Sequence, residues 1–208
     1  MFKILFKFFL SVNRCCSEQL VKVVVKINNA QINSNEHWYD ISDALVGDVV
    51  YSITYQRKGV NANTNAVFTP LPVEQFENVS VSYSAVENPA GFLQRVIITR
   101  PKASLTDNKK RPAIFFLQGL SCSSIEVLPH RKSNYVRLIK EIVEHSNMVV
   151  MRVEKPGLGD SEGNCSQTDF DTELNGYEQA FQALARLPFV NQDKILIYGN
   201  SMGSAIAP

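Results

Sequence analysis

The chain has 208 residues, of which 45% are hydrophobic and 20% charged, a balance that is typical of a globular protein and excludes a wholly disordered chain. Its 21 Lys and Arg residues almost match its 20 Asp and Glu residues, so the net charge is +1. Such a chain lacks the strongly basic surface that nucleic acids and anionic membranes attract, and we expect neither partner.

The first segment, residues 1–17, is amphipathic or signal-like. Its apolar residues follow helical spacing, whereas Lys3 and Lys7 share another face. The early lysine is also typical of an export signal, although Lys7 interrupts the apolar run and no small-x-small cleavage site follows. The location therefore stays open between cytoplasmic and exported. The run is too short to cross a bilayer, so we expect no membrane span.

The second segment, residues 18–72, is predicted to be a small β-rich unit with a linker. Residues 21–27 and 48–55 are rich in β-branched side chains and predict strands. Residues 43–53 resemble the part of PDZ domains in which a short helix leads through Gly-Asp into a strand. The unit is therefore either a peptide-binding module of that kind or a generic β unit. Residues 61–72 are rich in asparagine with two prolines, and we predict a linker or long loop.

The third segment, residues 73–208, begins with a predicted hairpin and continues as alternating strands and helices. The hairpin joins residues 79–85 to 92–100 through a turn at 87–91. Nearly continuous apolar runs then predict strands that are covered on both faces, at residues 113–119, 147–154 and 194–200.

Two helices are predicted between these strands. One has helical apolar spacing from Tyr135 and ends at His145, and the other begins near Asp171 or Thr172 and ends before Pro188. Strand and helix alternation indicates right-handed crossovers and a parallel sheet. The predicted fold class is therefore α/β with a mostly parallel sheet, to which the N-terminal hairpin adds an antiparallel edge.

No cofactor or metal is expected. Cys15 and Cys16 are adjacent, and no cysteine pair has the C-x-x-C spacing of zinc or redox sites. The glycine-rich run at 157–163 follows a predicted strand, as in a dinucleotide fingerprint. However, the next predicted helix begins only near Thr172, and two acids in this run, Asp160 and Glu162, would repel a pyrophosphate.

A Gly-x-Ser-x-Gly motif runs from Gly199 to Gly203 and follows the last predicted strand. A nucleophile elbow needs this arrangement, because the serine occupies a sharp strand-to-helix turn where flanking side chains would collide with neighbouring backbone. The pattern therefore indicates that Ser201 is a nucleophile above the sheet. Its position before a predicted helix would also favour developing negative charge.

Residues 79–208 resemble the α/β-hydrolase family at three places: this elbow, the loop after residues 113–119 and the loop at 155–163. The resemblance implies a serine hydrolase of the esterase or serine-aminopeptidase type. Ser201 would attack carboxylic ester or amide bonds of small molecules or peptides through an acyl-enzyme. The resemblance further implies an oxyanion hole of the Leu120 and Met202 N–H groups, with Gln118, Gly119 and Asp160 in site-lining loops. The family commonly has His-Gly where this chain has Gln118-Gly119.

The acid and histidine of the triad follow the serine in that family, whereas only seven residues follow Ser201. We interpret His37, His130 and His145 as surface or capping residues and Asp160 as a loop acid that hydrogen-bonds backbone. We therefore expect the N-terminal part of a longer hydrolase sheet, truncated after the elbow and inactive by itself. The alternatives are an acyltransferase with the same nucleophile and a non-catalytic scaffold with a peptide-binding N-terminal unit. The oligomeric state stays open.

Cys122 and Cys165 lie in the loops after two neighbouring predicted strands. This proximity allows a disulfide in an oxidising compartment, whereas a cytosolic protein would keep two free thiols.

Overall fold

The computed structural model describes residues 22–43, 45, 47–69, 72–129 and 132–207. The predicted N-terminal segment, residues 1–17, and His130 lie outside the described residues. The chain divides into two compact units, Met1–Pro72 and Val73–Pro208. In the described part of both units, every helix is too short or too polar to cross a membrane.

In its described residues, the first unit contains a four-stranded antiparallel sheet and one helix, α1 (Asn35–Asp43). The sheet order is β2-β1-β3-β4. Its core contains Ile27, Leu45 and Tyr51. The strands are β1 (Lys22–Ile27), β2 (Ala30–Gln31), β3 (Val50–Arg57) and β4 (Val60–Val67).

The prediction of a linker or loop was wrong for residues 61–67, which belong to strand β4. Lys58 and Gly59 both have positive φ, 51° and 78°, and this conformation closes a tight hairpin between β3 and β4. Every residue of β4 pairs with one of β3. The asparagines are compatible with a strand because they are exposed, and Asn63 accepts a hydrogen bond from the Thr54 hydroxyl at 2.7 Å.

The second unit is built on a five-stranded sheet of order β5-β6-β8-β7-β9. The predicted hairpin forms and joins the sheet beside β8. The antiparallel edge predicted for the hairpin is present, but the sheet as a whole is mixed rather than mostly parallel: β7 pairs in parallel with β8 and β9, and β6 pairs antiparallel with β5 and β8. The strands are β5 (Val79–Asn88), β6 (Phe92–Pro101), β7 (Arg111–Leu117), β8 (Val149–Val153) and β9 (Val190–Gly199).

Helices cover both faces of this sheet, and alternate residues of β7 therefore pack in two separate apolar clusters. Phe115 packs with Tyr177 and Leu184 of α3 (Phe170–Ala185), whereas Phe116 packs with Ile139 of α2 (Asn134–His145). The helix α3 begins earlier than predicted, since its N-cap is Asp169, whose carboxylate accepts from the Thr172 N–H at 2.8 Å. A short helix, α4 (Met202–Ile206), follows β9.

Strand β9 departs from the predicted burial on both faces. Its side chains are mostly half-buried or exposed, and Leu196 is 59% exposed. Within the described part of the chain, β9 pairs with β7 on one side only, which explains why its apolar residues are less covered than those of β8.

Candidate active site

Ser201 occupies the turn between β9 and α4, with φ 53° and ψ −119°. Such a backbone conformation is rarely populated by residues other than glycine and is strained. Two hydrogen bonds close the turn: the Gly203 N–H donates to the Asn200 carbonyl, and the Ser204 N–H donates to the Ser201 carbonyl, both at 2.9 Å. The serine itself is exposed.

Gly199 and Gly203 lie where the chain approaches itself too closely for any side chain. A Cβ at Gly199 would lie 2.5 Å from the Gly203 carbonyl oxygen. A Cβ at Gly203 would lie 2.4 Å from the Leu117 carbonyl oxygen. Since these contacts are to backbone atoms, glycine at both positions is required for the turn as it stands.

The end of β7 lies directly beside this turn. The Asn200 N–H donates to the Leu117 carbonyl at 3.0 Å, and a Cβ at Gly119 would lie 3.2 Å from the Ser201 Cβ. Leu120 follows Gly119 and is 69% exposed. Met202 is the first residue of α4, where helical N–H groups have no partner within the helix. The structure therefore brings Gly119 and Ser201 together, with Leu120 and Met202 next to them in the chain.

Gln118 is almost wholly buried and connects two loops through its side-chain amide. In the favourable amide orientation, its nitrogen donates to the Ser123 carbonyl at 3.1 Å and its oxygen accepts from the Lys155 N–H at 3.2 Å. It therefore fixes the start of the loop after β7 against the segment after β8.

A cluster of buried charges that the sequence reasoning missed lies beside these loops. Arg152 Nη1 and Nη2 donate hydrogen bonds to the two carboxylate oxygens of Glu74, each at 2.6 Å, and neither side chain has exposed surface. The Nη2 atom of Arg95 lies 2.5 Å from the Oε1 atom of Glu126, so these two side chains form a second ion pair. Both arginines interrupt apolar strands, and this interruption is the signal that could have identified them.

Asp160 contacts this cluster: its carboxylate accepts from Arg95 Nη1 at 2.9 Å. The interpretation of Asp160 as an acid for backbone alone missed this ion pair. The buried guanidinium needs carboxylate partners, and Asp160 supplies one from the loop after β8.

A disulfide joins Cys122 to Cys165, with the two Cα atoms 5.8 Å apart. It connects the loop after β7 to the loop after β8, and the cysteines are separated by 43 positions in sequence. It therefore constrains the same pair of loops that Gln118 connects.

We expect thiol counting to detect this disulfide. Reduction of the denatured protein should raise the number of reactive thiols by two, those of Cys122 and Cys165. Replacing both Cys122 and Cys165 with serine should lower the free energy of unfolding by about 2–4 kcal/mol, since the unfolded chain gains freedom. A Cys15→Ser and Cys16→Ser variant is the matched control. Four thiols in unreduced protein from an oxidising compartment would contradict the assignment.

The described histidine of the second unit, His145, does not lie at the carboxyl ends of the parallel strands, where Ser201 lies. It ends α2, which leads into the amino end of β8, and its Nε2 lies 3.3 Å from Glu141 Oε2. Ser201 follows the carboxyl end of β9, which runs in the same direction as β8. His37 lies in the first unit. Across the described ranges, no three His, Cys, Asp or Glu side chains are grouped to hold a metal ion.

No family model matches the chain, and no curated protein matches it at a significant level. The solved structures that it resembles include esterases and prolyl oligopeptidases. Est1E from Butyrivibrio proteoclasticus, with bound ferulic acid, is 17% identical, with a TM-score of 0.46 over 59% of this chain and 44% of that one. Prolyl oligopeptidase B from Galerina marginata is 15% identical, with a TM-score of 0.47 over 75% of this chain and 22% of that one. A hypothetical protein from Pseudomonas aeruginosa is 20% identical, with a TM-score of 0.47 over 62% of this chain and 37% of that one. The chain thus spans between 22% and 44% of the length of these three structures.

Proposed function

We propose that the second unit is part of an α/β-hydrolase domain in which Ser201 attacks carboxylic ester or amide bonds of a small molecule or peptide. The strained conformation of Ser201, between a strand and a helix and held by two obligatory glycines, carries the proposal. Strain of this kind persists where the surrounding structure enforces it, and it is common at catalytic positions.

The reaction follows from the groups at this edge of the sheet. The Ser201 Oγ attacks the carbonyl carbon and passes its proton to a base, and the carbonyl oxygen becomes an oxyanion. The N–H groups of Leu120 and Met202 stabilise this oxyanion. Collapse of the intermediate expels the alcohol or amine with a proton, and water then attacks the acyl-serine to release the acid and restore Ser201.

The described part of the second unit does not place a histidine base beside Ser201. His145 lies at the amino ends of the parallel strands, whereas Ser201 lies at their carboxyl ends. A serine hydroxyl without a general base is a weak nucleophile. We therefore expect the 208-residue chain to react slowly by itself and to respond to an added base.

A fluorophosphonate probe tests this proposal, with the modified residue identified by peptide mass spectrometry. We expect slow labelling of Ser201 that added imidazole accelerates by roughly tenfold or more, because general base catalysis contributes about 10²–10⁴-fold in enzymes. Ser201→Ala should abolish the accelerated labelling, whereas Ser84→Ala, at an exposed serine of β5, should leave it unchanged.

Rapid stoichiometric labelling without imidazole would contradict the expected inactivity of the chain. Labelling that imidazole increases equally at several exposed serines would contradict the assignment of Ser201 as nucleophile. If Ser201 forms an acyl adduct with an ester, comparing release to water with release to an added alcohol distinguishes a hydrolase from an acyltransferase.

A further inference from the structure

Residues 118–126, here called the oxyanion segment, follow β7 and contain the proposed donor Leu120. The segment has no helix or strand of its own. Its position therefore depends on side-chain contacts with neighbouring elements. Gln118 and the Cys122–Cys165 disulfide fix its first half.

Glu154 fixes the second half. It follows β8 directly, and its carboxylate accepts hydrogen bonds from the Ser124 hydroxyl and from the Ile125 N–H, the latter at 3.2 Å. The backbone of Glu154 is itself fixed, because its N–H donates to the Arg95 carbonyl at 3.0 Å and its carbonyl accepts from Gln94 Nε2 at 3.2 Å. Glu154 is thus a rigidly held acceptor for a segment that lacks regular structure.

We propose that Glu154 is a positioning residue that holds the oxyanion segment, and with it the Leu120 N–H, at the Ser201 edge of the sheet. The proposal rests on the proposed function, because the position of Leu120 matters catalytically only if Ser201 reacts. Glu154 acts through Ser124 and Ile125.

Burial makes the ionised form of Glu154 costly, and the charges around it offset only part of that cost. Arg95 on β6 faces it at 4.0 Å, but the same guanidinium also pairs with Glu126 of the oxyanion segment and with Asp160. Tyr135 on α2 also interacts with it electrostatically. Burial outweighs these contacts and raises the pKa of Glu154 from 4.5 to about 7.

Because folding raises the pKa of Glu154, a positioning role and a purely structural role predict different effects of Glu154→Gln. A carboxyl whose pKa is raised by folding binds its proton more tightly in the folded chain, so its contribution to stability is lost as the pH rises through about 7. Above that pH, the ionised carboxylate disfavours the fold as a whole, yet it gives Ser124 and Ile125 their strongest acceptor. A structural role predicts that Glu154→Gln weakens the whole unit. A positioning role predicts that it loosens the oxyanion segment while stability above about pH 7 is unchanged or higher.

Amide hydrogen exchange of the full chain, followed by mass spectrometry and corrected for intrinsic rates, tests the proposal. In the wild type, amides of residues 118–126 should be several-fold more protected at about pH 8 than at about pH 6, as Glu154 ionises. Glu154→Gln should speed their exchange at about pH 8 by about tenfold and remove the pH dependence, since charged acceptors form stronger hydrogen bonds than amides. Strand β7 should be unaffected.

Two further variants make the test decisive. Ser124→Ala keeps Glu154 and removes one of its bonds, so it should loosen the same residues by a smaller factor, even if Glu154→Gln fails to fold. Glu162→Gln is the matched control. Glu162 follows β8, as Glu154 does, but its carboxylate accepts from the Leu93 N–H at 2.9 Å. This substitution should leave the exchange of residues 118–126 unchanged.

Unchanged protection of residues 118–126 in Glu154→Gln and Ser124→Ala would overturn the proposal, and so would equal loosening of β7. The exchange measurement does not require Ser201 to react. Absence of Ser201 labelling together with the expected exchange pattern would therefore reject the hydrolase function and leave the hold of Glu154 on the segment intact. Normal labelling with unaltered exchange would reject only the role of Glu154.

Discussion

Gly203→Ala should disrupt the turn that carries Ser201. The new Cβ would lie 2.4 Å from the Leu117 carbonyl oxygen and 2.8 Å from that of Gln118. These are backbone atoms, so no side-chain rotation relieves the overlap, and overpacking of this kind costs about 1–3 kcal/mol or more. Because α4 is short, it cannot offset this cost, and we expect the turn at Ser201 to open. Imidazole-dependent labelling of Ser201 should fall at least about tenfold, since 1.4 kcal/mol changes an equilibrium by that factor.

The measurement combines fluorophosphonate labelling with amide exchange over residues 199–207. Ser204→Ala is the matched control in the same helix: it adds no atoms and removes one hydrogen bond to the Ser201 carbonyl. It should change the labelling much less. Gly199→Ala should behave like Gly203→Ala, because its Cβ would meet the Gly203 carbonyl oxygen at 2.5 Å. Wild-type labelling in both glycine variants would show that the turn differs from the one described.

Arg152→Met should cause the largest loss of global stability. It leaves the Glu74 carboxylate buried without its guanidinium partner, and breaking a buried pair from one side costs about 3–5 kcal/mol. Adding Glu74→Gln should recover part of the loss, because the neutral amide still accepts the Val127 N–H that the carboxylate now accepts. Urea unfolding of the two single variants and the double variant measures the coupling directly.

Arg111→Met is the control for this series. Arg111 pairs with Asp107 at 2.5 Å, but both side chains are partly exposed, at 17% and 28%. Pairs of this kind contribute less than about 1 kcal/mol. A loss in Arg152→Met no larger than that in Arg111→Met would mean that the Glu74–Arg152 pair is solvated rather than buried.

The features that could be predicted from the sequence are those that short stretches determine. Continuous apolar runs predicted β7 and β8, helical spacing predicted α2, and a Gly-x-Ser-x-Gly stretch after an apolar run indicated the turn at Ser201. Each depends on neighbours within about one or two helical turns or one strand, where local sterics and amphipathic spacing act.

Features that depend on distant partners could not be predicted in the same way. Glu74 and Arg152 are 78 positions apart, and only the folded unit brings them together. The antiparallel edge formed by the hairpin was predicted, but its position beside β8 was not, because no local signal specifies the order of the strands. Strand β4 was missed because its asparagines suggested a loop, whereas its complete pairing with β3 made it a strand.

A structure of the protein phosphonylated at Ser201 is the most direct test of the central claim, that this residue and two backbone amides form an oxyanion site. We predict that the phosphoryl oxygen accepts hydrogen bonds from the Leu120 and Met202 N–H groups at about 2.7–3.1 Å, the distances that oxyanion donors require. A phosphoryl oxygen held by other donors, or pointing into solvent away from both amides, would contradict the account.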